Sequence, residues 1–214
     1  MAMEFSRGIV QDTLVKTVMC RGLWKYLCIM GTVHHTNVAQ NEYFQRVYND
    51  FYVVRSRKKE WYKVYFTFMQ NHKDNVSLTF EETLHHLYNK TGRIEASFSS
   101  KLLATVNPQM PIWDTHVLRN TRITAPKTAQ NNSDKQLQES IDTYNLLIGW
   151  YKDHLKTKDG KFMVERFDKI YRDNRLTDVK KVDFILWQIR GDQRQCRGAR
   201  HLFSASSCGF GPEE

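Results

Sequence analysis

The amino-acid sequence predicts an all-α fold, a compact protein of many helices, and three observations support this prediction. Apolar residues recur mainly at the three- and four-residue spacing that places them on one face of a helix. No segment shows convincing two-residue alternation, which is the pattern of a half-buried strand. One apolar run also carries clear end signals, because Thr79 with Glu82 forms a capping-box motif and Gly92 is a suitable C-terminal stop.

The apolar stripes then predict the helices in chain order. They lie within residues 44–51, 61–69, 80–88, 97–106, 137–155, 163–171 and 182–189. Asp114 is expected to open a further short helix, and Ser133 or Asp134 to open the long helix that follows. Thr177 is the expected N-cap of the last helix, which is apolar nearly all round.

A chain of 214 residues fits one domain. The segment 121–133 is polar and contains Pro126, which is typical of a loop between helices. We therefore expect a single helical domain over residues 1–214, either undivided or formed by two lobes joined near 121–133. The tail from Gly191 onward has little periodicity, and no role is predicted for it.

The chain is basic, with 32 lysines and arginines against 23 acidic residues and a formal charge of +9. This excess favours a polyanionic partner, although simple solubility explains it equally well. No apolar run approaches the ~20 residues that a membrane span needs. The N-terminal region, with Glu4 and Arg7, lacks the pattern of a secretion signal, so we expect a cytoplasmic protein without a membrane partner.

The four cysteines do not have the spacing of a metal site. Cys20, Cys28, Cys196 and Cys208 include no pair separated by two residues and no iron–sulfur pattern. We therefore expect free thiols and no bound metal. The adjacent histidine pairs are also poor ligands, because neighbours on a helix point about 100° apart.

The most informative stretch is residues 91–127. Gly92 ends one predicted helix, a second helix follows, and Asp114 stands at the start of a third. Between Lys90 and Lys127 there are six basic residues against Glu95 and Asp114 alone. In an enzyme that acts on a polyanion, the basic side chains would hold phosphates while a carboxylate stabilises positive charge on a sugar.

This stretch resembles the catalytic strip of helix-hairpin-helix DNA glycosylases, in the endonuclease III and adenine-glycosylase branch. Asp-Thr-His-Val at 114–117 carries the resemblance, with the hairpin at Gly92 before it. The resemblance implies a two-lobed helical scaffold that binds duplex DNA and flips a base out of the stack. Asp114 would then stabilise the oxocarbenium-like sugar and activate water. The residues implied in nucleic-acid binding are Gly92, Arg93, Lys101, Arg119 and Arg122.

The sequence also departs from that family. The family hairpin usually reads Leu-Pro-Gly-Val-Gly, whereas here only Gly92 remains. Ile94 stands where lyase-competent members carry their Schiff-base lysine, and the terminal iron–sulfur ligands are absent. These differences predict at most a monofunctional glycosylase without a cofactor, or a relative that has kept the scaffold and lost the chemistry.

Each of these features has a simpler structural explanation. Asp114 is a favoured N-cap, with Trp113 and Leu118 at the positions of a hydrophobic staple. His116 is expected to make a structural polar contact. A second basic cluster precedes the helix that contains Trp61, and it either grips nucleic acid or is a solvated helix start. Its members are Arg55, Arg57, Lys58, Lys59 and Lys63.

Two hypotheses follow from the sequence. The first is a nucleic-acid-binding protein on a DNA-glycosylase-like scaffold, which excises a base by means of Asp114. The second is a non-catalytic helical binding protein of unassigned role. A cleft that holds Asp114, basic side chains and a flipped base would favour the first.

Overall fold

The structure, a computed structural model, describes residues 5–126 and 133–189. These residues form ten α-helices and one short 3-10 helix, and they contain no β-strand, so the all-α prediction is confirmed. The helices are α1 (Arg7–Leu14), α2 (Thr17–Thr32), α3 (Glu42–Tyr52), α4 (Lys59–His72), α5 (Phe80–Thr91), α6 (Ala96–Val106), α7 (Thr115–Thr121), α8 (Ser133–His154), α9 (Lys158–Ile170) and α10 (Asp178–Gln188); the 3-10 helix is Val33–His35.

Some predictions concern residues outside this description. The tail from Gly191, with Cys196 and Cys208, is among them, and so are Lys127 and the rest of the 127–132 loop. Cys20 and Cys28, which are described, are free thiols as predicted. The single-domain and two-lobe alternatives both remain predictions.

The predicted ends of α5 are confirmed. The Thr79 hydroxyl accepts a hydrogen bond from the Glu82 backbone N–H at 3.1 Å, and the Glu82 carboxylate accepts one from the Thr79 N–H at 2.8 Å. At the other end Gly92 has a φ of 67°, the left-handed conformation that glycine adopts without strain. The capping box and the glycine therefore fix where α5 begins and where the chain turns.

The first two helices, α1 and α2, were not predicted. In α2 the buried side chains Leu23, Tyr26 and Ile29 follow a helical spacing. Trp24 and Leu27 stand between them and are 58% and 42% exposed, so the apolar residues do not mark a single face. Lys16, the N-cap of α2, supplies no side-chain cap, and the start of the helix therefore has no signal in the sequence.

Helix α10 lies at the centre of the fold. It packs against α1, α7 and α9, and nine of its eleven residues are buried. Its N-cap is Thr177, as predicted, whose hydroxyl accepts from the Lys180 N–H at 3.2 Å. The prediction that α10 is apolar nearly all round was incomplete, because three of its buried residues are charged. These are Lys180, Lys181 and Asp183.

The carboxylate of Asp183 joins three parts of the chain. It is 2% exposed, and its Oδ2 lies 2.8 Å from Nζ of Lys180, which is 1% exposed. Its Oδ1 accepts a hydrogen bond from the hydroxyl of Tyr151 in α8 and another, at 3.4 Å, from the backbone N–H of Ile112. Asp183 therefore connects α10 and α8 with the irregular chain that leads to Asp114.

Replacing Asp183 with asparagine should destabilise the protein by about 3–5 kcal/mol, because Lys180 would be left as a buried charge without its counter-charge. Urea denaturation followed by circular dichroism measures this loss. The matched control is Asp142→Asn in α8, an exposed position where the change should stay within about 0.5 kcal/mol. Equal losses in the two variants would contradict a structural role for the buried pair.

Candidate functional site

Asp114 stands at the end of an irregular segment, residues 107–114, called here the Asp114 segment. Pro108 and Pro111 prevent it from continuing α6 as a helix. Its backbone groups are bound by side chains from the surrounding helices. Trp113 N–H donates to the Ser100 hydroxyl at 2.9 Å, and the Tyr144 hydroxyl donates to the Pro111 carbonyl at 2.8 Å.

Two further bonds complete this support. The Thr177 hydroxyl donates to the Pro108 carbonyl at 2.6 Å, and Asp183 accepts from Ile112 as described above. Helices α6, α8 and α10 and the N-cap of α10 thus all contribute to holding the segment. Buried backbone groups need such partners, and here the partners also fix the position of Asp114.

Asp114 caps α7, as predicted. Its Oδ1 accepts a hydrogen bond from the His116 N–H at 2.8 Å, and its side chain is partly buried. Trp113 and Leu118, the two positions of the predicted staple, are both buried. The capping role is therefore established, whereas a catalytic role for Asp114 stays a prediction.

Asp114 also lines a narrow pocket, called here the Asp114 pocket. Its ionisable lining residues are Lys101, Asp114, Lys180 and Asp183, and its walls are mostly apolar. The rest of the lining is Phe51, Tyr52, Ile112, Val117, Phe184 and Trp187. The pocket has a volume of about 20 Å³, enough for a single water molecule, which needs ~10–15 Å³. A flipped nucleobase is far larger than this space.

Lys101 lies in the interior. Its Nζ donates to the Tyr52 carbonyl at 3.0 Å and lies 5.2 Å from the centre of the Phe98 ring. Burial lowers the pKa of Lys101, and the negative charge of Asp114 opposes this shift. The predicted contact between Lys101 and a DNA phosphate gains no support from this position, because the ammonium group points into the fold.

Burial also affects the tyrosines around the Asp114 segment. It raises the pKa of both Tyr144 and Tyr151 well above the usual value, and the nearby charge of Asp183 raises them further. Both hydroxyls therefore stay protonated and serve as hydrogen-bond donors, Tyr144 to Pro111 and Tyr151 to Asp183. Burial raises the pKa of Asp183 as well, while Lys180 opposes the shift.

The predicted hairpin residues Gly92 and Arg93 lie between α5 and α6. Arg93 is exposed, and its Nε is 3.2 Å from Oε1 of Glu95. The guanidinium of Arg57 approaches the other oxygen of the same carboxylate, Oε2, at 3.0 Å. Glu95 thus brings an arginine of the second basic cluster next to the hairpin.

These residues border a surface groove, called here the hairpin groove, with a volume of about 460 Å³. The lining residues that the structure describes include four cations and one carboxylate, Glu60. The cations are Arg57, Lys58, Lys90 and Arg93; Ser56, Trp61, Val64 and Thr91 complete the lining. No local pattern in the sequence pairs the second basic cluster with the hairpin, and a solvated helix start explains that cluster equally simply.

The other two predicted nucleic-acid contacts, Arg119 and Arg122, lie on a different part of the surface. Both are exposed, at the end of α7, and neither lines the hairpin groove or the Asp114 pocket. The Arg119 guanidinium lies 3.1 Å from Nδ1 of His116, which is the kind of structural polar contact expected of that histidine. The structure thus places Arg93 beside Glu95 and Arg57, and not beside Arg119 or Arg122.

Lys180 and Asp183 also line the Asp114 pocket, and neither was predicted as a site residue. The available signal was a lysine and an aspartate three residues apart in a helix with apolar residues nearly all round, which also carries Asp178 and Lys181. Such residues are almost never fully buried unless they are paired. That pattern predicts a buried ion pair, although it does not indicate which pocket the pair would line.

Within residues 5–126 and 133–189, no helix has the length and apolar character needed to cross a membrane. The same residues include no group of three histidine, cysteine, aspartate or glutamate side chains placed to bind a metal ion.

No protein-family model, no curated protein and no solved structure matches the chain. The helix-hairpin-helix resemblance therefore depends on residues 91–127 alone, and it stays a prediction.

The lowered pKa of Lys101 predicts a specific pH dependence. Burial penalises the charged form of Lys101, so the unfolded chain holds this proton more tightly than the folded protein does. The penalty is relieved as the pH rises from the folded-state pKa toward 10.5, and the free energy of unfolding should increase over that window. In urea titrations, the unfolding free energy of wild type minus that of Lys101→Met should accordingly become more positive across that window. The exposed Lys152→Met in α8 provides the control. Parallel curves for wild type and Lys101→Met would contradict the burial of a titrating amine.

Proposed function

We propose that the protein binds nucleic acid along the hairpin groove and cleaves an N-glycosidic bond at Asp114, as a monofunctional base-excision glycosylase. One observation carries the proposal. The ring of Phe98 has Arg57 of the hairpin groove 4.9 Å from its centre and Lys101 of the Asp114 pocket 5.2 Å away. The cationic groove and the pocket that contains the Asp114 carboxylate are therefore close to each other, with Phe98 in contact range of a cation from each.

The groove supplies the features of a phosphate-binding surface. Arg93 and Lys58 are exposed, and arginine and lysine provide most of the affinity of proteins for a nucleic-acid backbone. Gly92, in the left-handed conformation, has no atom from beyond its two chain neighbours within 4 Å of the position that a Cβ would occupy. Its backbone is therefore open to close approach by a ligand.

The Asp114 pocket supplies the features of a hydrolytic site. With Oδ1 engaged by the His116 N–H, Oδ2 of Asp114 is the oxygen left to stabilise an oxocarbenium-like sugar and to activate water. The pocket has room for that water and not for a base. The base is accordingly expected to lie outside the pocket, and the sugar at its mouth. Ile94 offers no amine for a lyase step.

A non-catalytic nucleic-acid-binding protein is the second candidate. The observation that favours it is the size of the pocket, together with a complete structural explanation of Asp114 as the cap of α7. In that case the groove would bind nucleic acid, and no base would be released.

Asp114→Asn separates these two functions, because asparagine is an equally good N-cap but lacks the negative charge. We expect the variant to fold and to bind duplex DNA like wild type, while base release falls by about 10²–10³-fold. The measurement is base release from a panel of lesion-containing duplexes, alongside duplex binding. Binding without base release by wild type would leave only the second candidate, and absence of both would exclude the two together.

A further inference from the structure

We propose that the N-terminus of α4 is a specific phosphate-binding site, in which Lys58 and Trp61 act together with the first-turn backbone amides. This deepens the proposed function, on which it rests for the source of the phosphate, a nucleic-acid backbone. The binding of phosphate itself does not depend on any catalytic activity of Asp114.

The first turn of α4 has no capping side chain. Lys58 occupies the N-cap position with an extended backbone, and its side chain makes no cap hydrogen bond. A lysine side chain has no acceptor atom, so it is unable to satisfy the backbone N–H groups that begin the helix. α4 extends over 14 residues, and its aligned peptide dipoles place partial positive charge at this end.

The charges around this end have the wrong sign for an isolated helix. Helix N-termini are stabilised by acidic side chains, yet here Lys58 and Lys59 lie at the positive end with only Glu60 in the first turn to oppose them, while the charge of Arg57 is paired with Glu95. A bound anion removes this conflict, because it is attracted by the cations, by the dipole and by the backbone amides of Lys59 and Glu60. The Trp61 backbone N–H already donates to the Lys58 carbonyl at 3.0 Å.

Trp61 provides an independent observation that points to a ligand. The side chain is 6% exposed and lines the hairpin groove, but its indole N–H has no hydrogen-bond partner among the described residues. Buried indole N–H groups usually have a partner. Arg57 also has a donor without a partner: its terminal guanidinium nitrogen binds Glu95, while its Nε–H has no acceptor among the described residues. An acceptor-rich ligand in the groove would satisfy such donors.

Phosphate fits this set of donors better than a carboxylate does. It offers several acceptor oxygens in a tetrahedral arrangement, which backbone amides, an indole N–H and cationic side chains reach from different directions. The groove is also continuous with the hairpin, because Lys90, Thr91 and Arg93 form its other side. A phosphodiester chain would therefore contact α4 and the hairpin simultaneously.

Titration with inorganic phosphate at constant ionic strength tests the site. We would record the indole N–H resonances of the ¹⁵N-labelled protein by NMR and assign the Trp61 signal by its loss in Trp61→Phe. The expected result is a saturable shift of that signal. Lys58→Gln should weaken phosphate affinity about tenfold, as expected for loss of a charge-assisted contact. Lys63→Gln, an exposed position of α4 outside the groove lining, is the matched control and should leave the affinity unchanged.

Repeating the titration with a duplex oligonucleotide identifies the source of the phosphate. A shift of the same Trp61 signal, weakened by Lys58→Gln, supports a backbone phosphate at this site. Phosphate binding without duplex binding supports the site, assigns it to a free phosphate compound and excludes the proposed function. Duplex binding that is indifferent to both Lys58→Gln and Trp61→Phe overturns the site but leaves the function. The absence of any phosphate-induced shift also overturns the site.

Discussion

The buried carboxylate of Asp183 is the constraint on which the rest of the structure depends. It holds Lys180 at 2.8 Å and accepts hydrogen bonds from Tyr151 in α8 and from the backbone of Ile112. Removing two charges from water is costly, so a buried ion pair is by itself weak evidence of added stability. Its effect is geometric, because these bonds connect the Asp114 segment with α8 and α10.

The position of the Asp114 segment accounts for the arrangement of the candidate site. The segment is held by side chains of the surrounding helices, and this places Asp114 at the N-cap of α7. Asp114 and Lys101 both line the same water-sized pocket. Near the same Phe98 ring, Arg57 and its ion pair with Glu95 join the hairpin to the start of α4, and together these form a cationic groove. The cationic groove and the Asp114 carboxylate are thus supplied by different parts of the chain, and Phe98 lies near both Arg57 and Lys101.

Much of this fold was predictable from local pattern, whereas the site was predictable only in part. Thr79, Gly92, Asp114 and Thr177 mark helix ends through bonds to their immediate neighbours, and such bonds are visible in the sequence. The burial of Lys101 was not predictable, because it depends on the distant carbonyl of Tyr52. The hairpin groove likewise requires two basic stretches to meet through tertiary contacts, and no local pattern encodes such a meeting.

The central claim is that the hairpin groove binds nucleic acid, and the salt dependence of duplex affinity tests it most directly. The plot of log affinity against log salt should be less steep in Arg93→Gln by about one unit, the loss of one phosphate contact. The exposed Arg172→Gln in the turn after α9 carries the same charge change and should leave the slope as in wild type. Equal slopes for wild type and both variants would contradict the account.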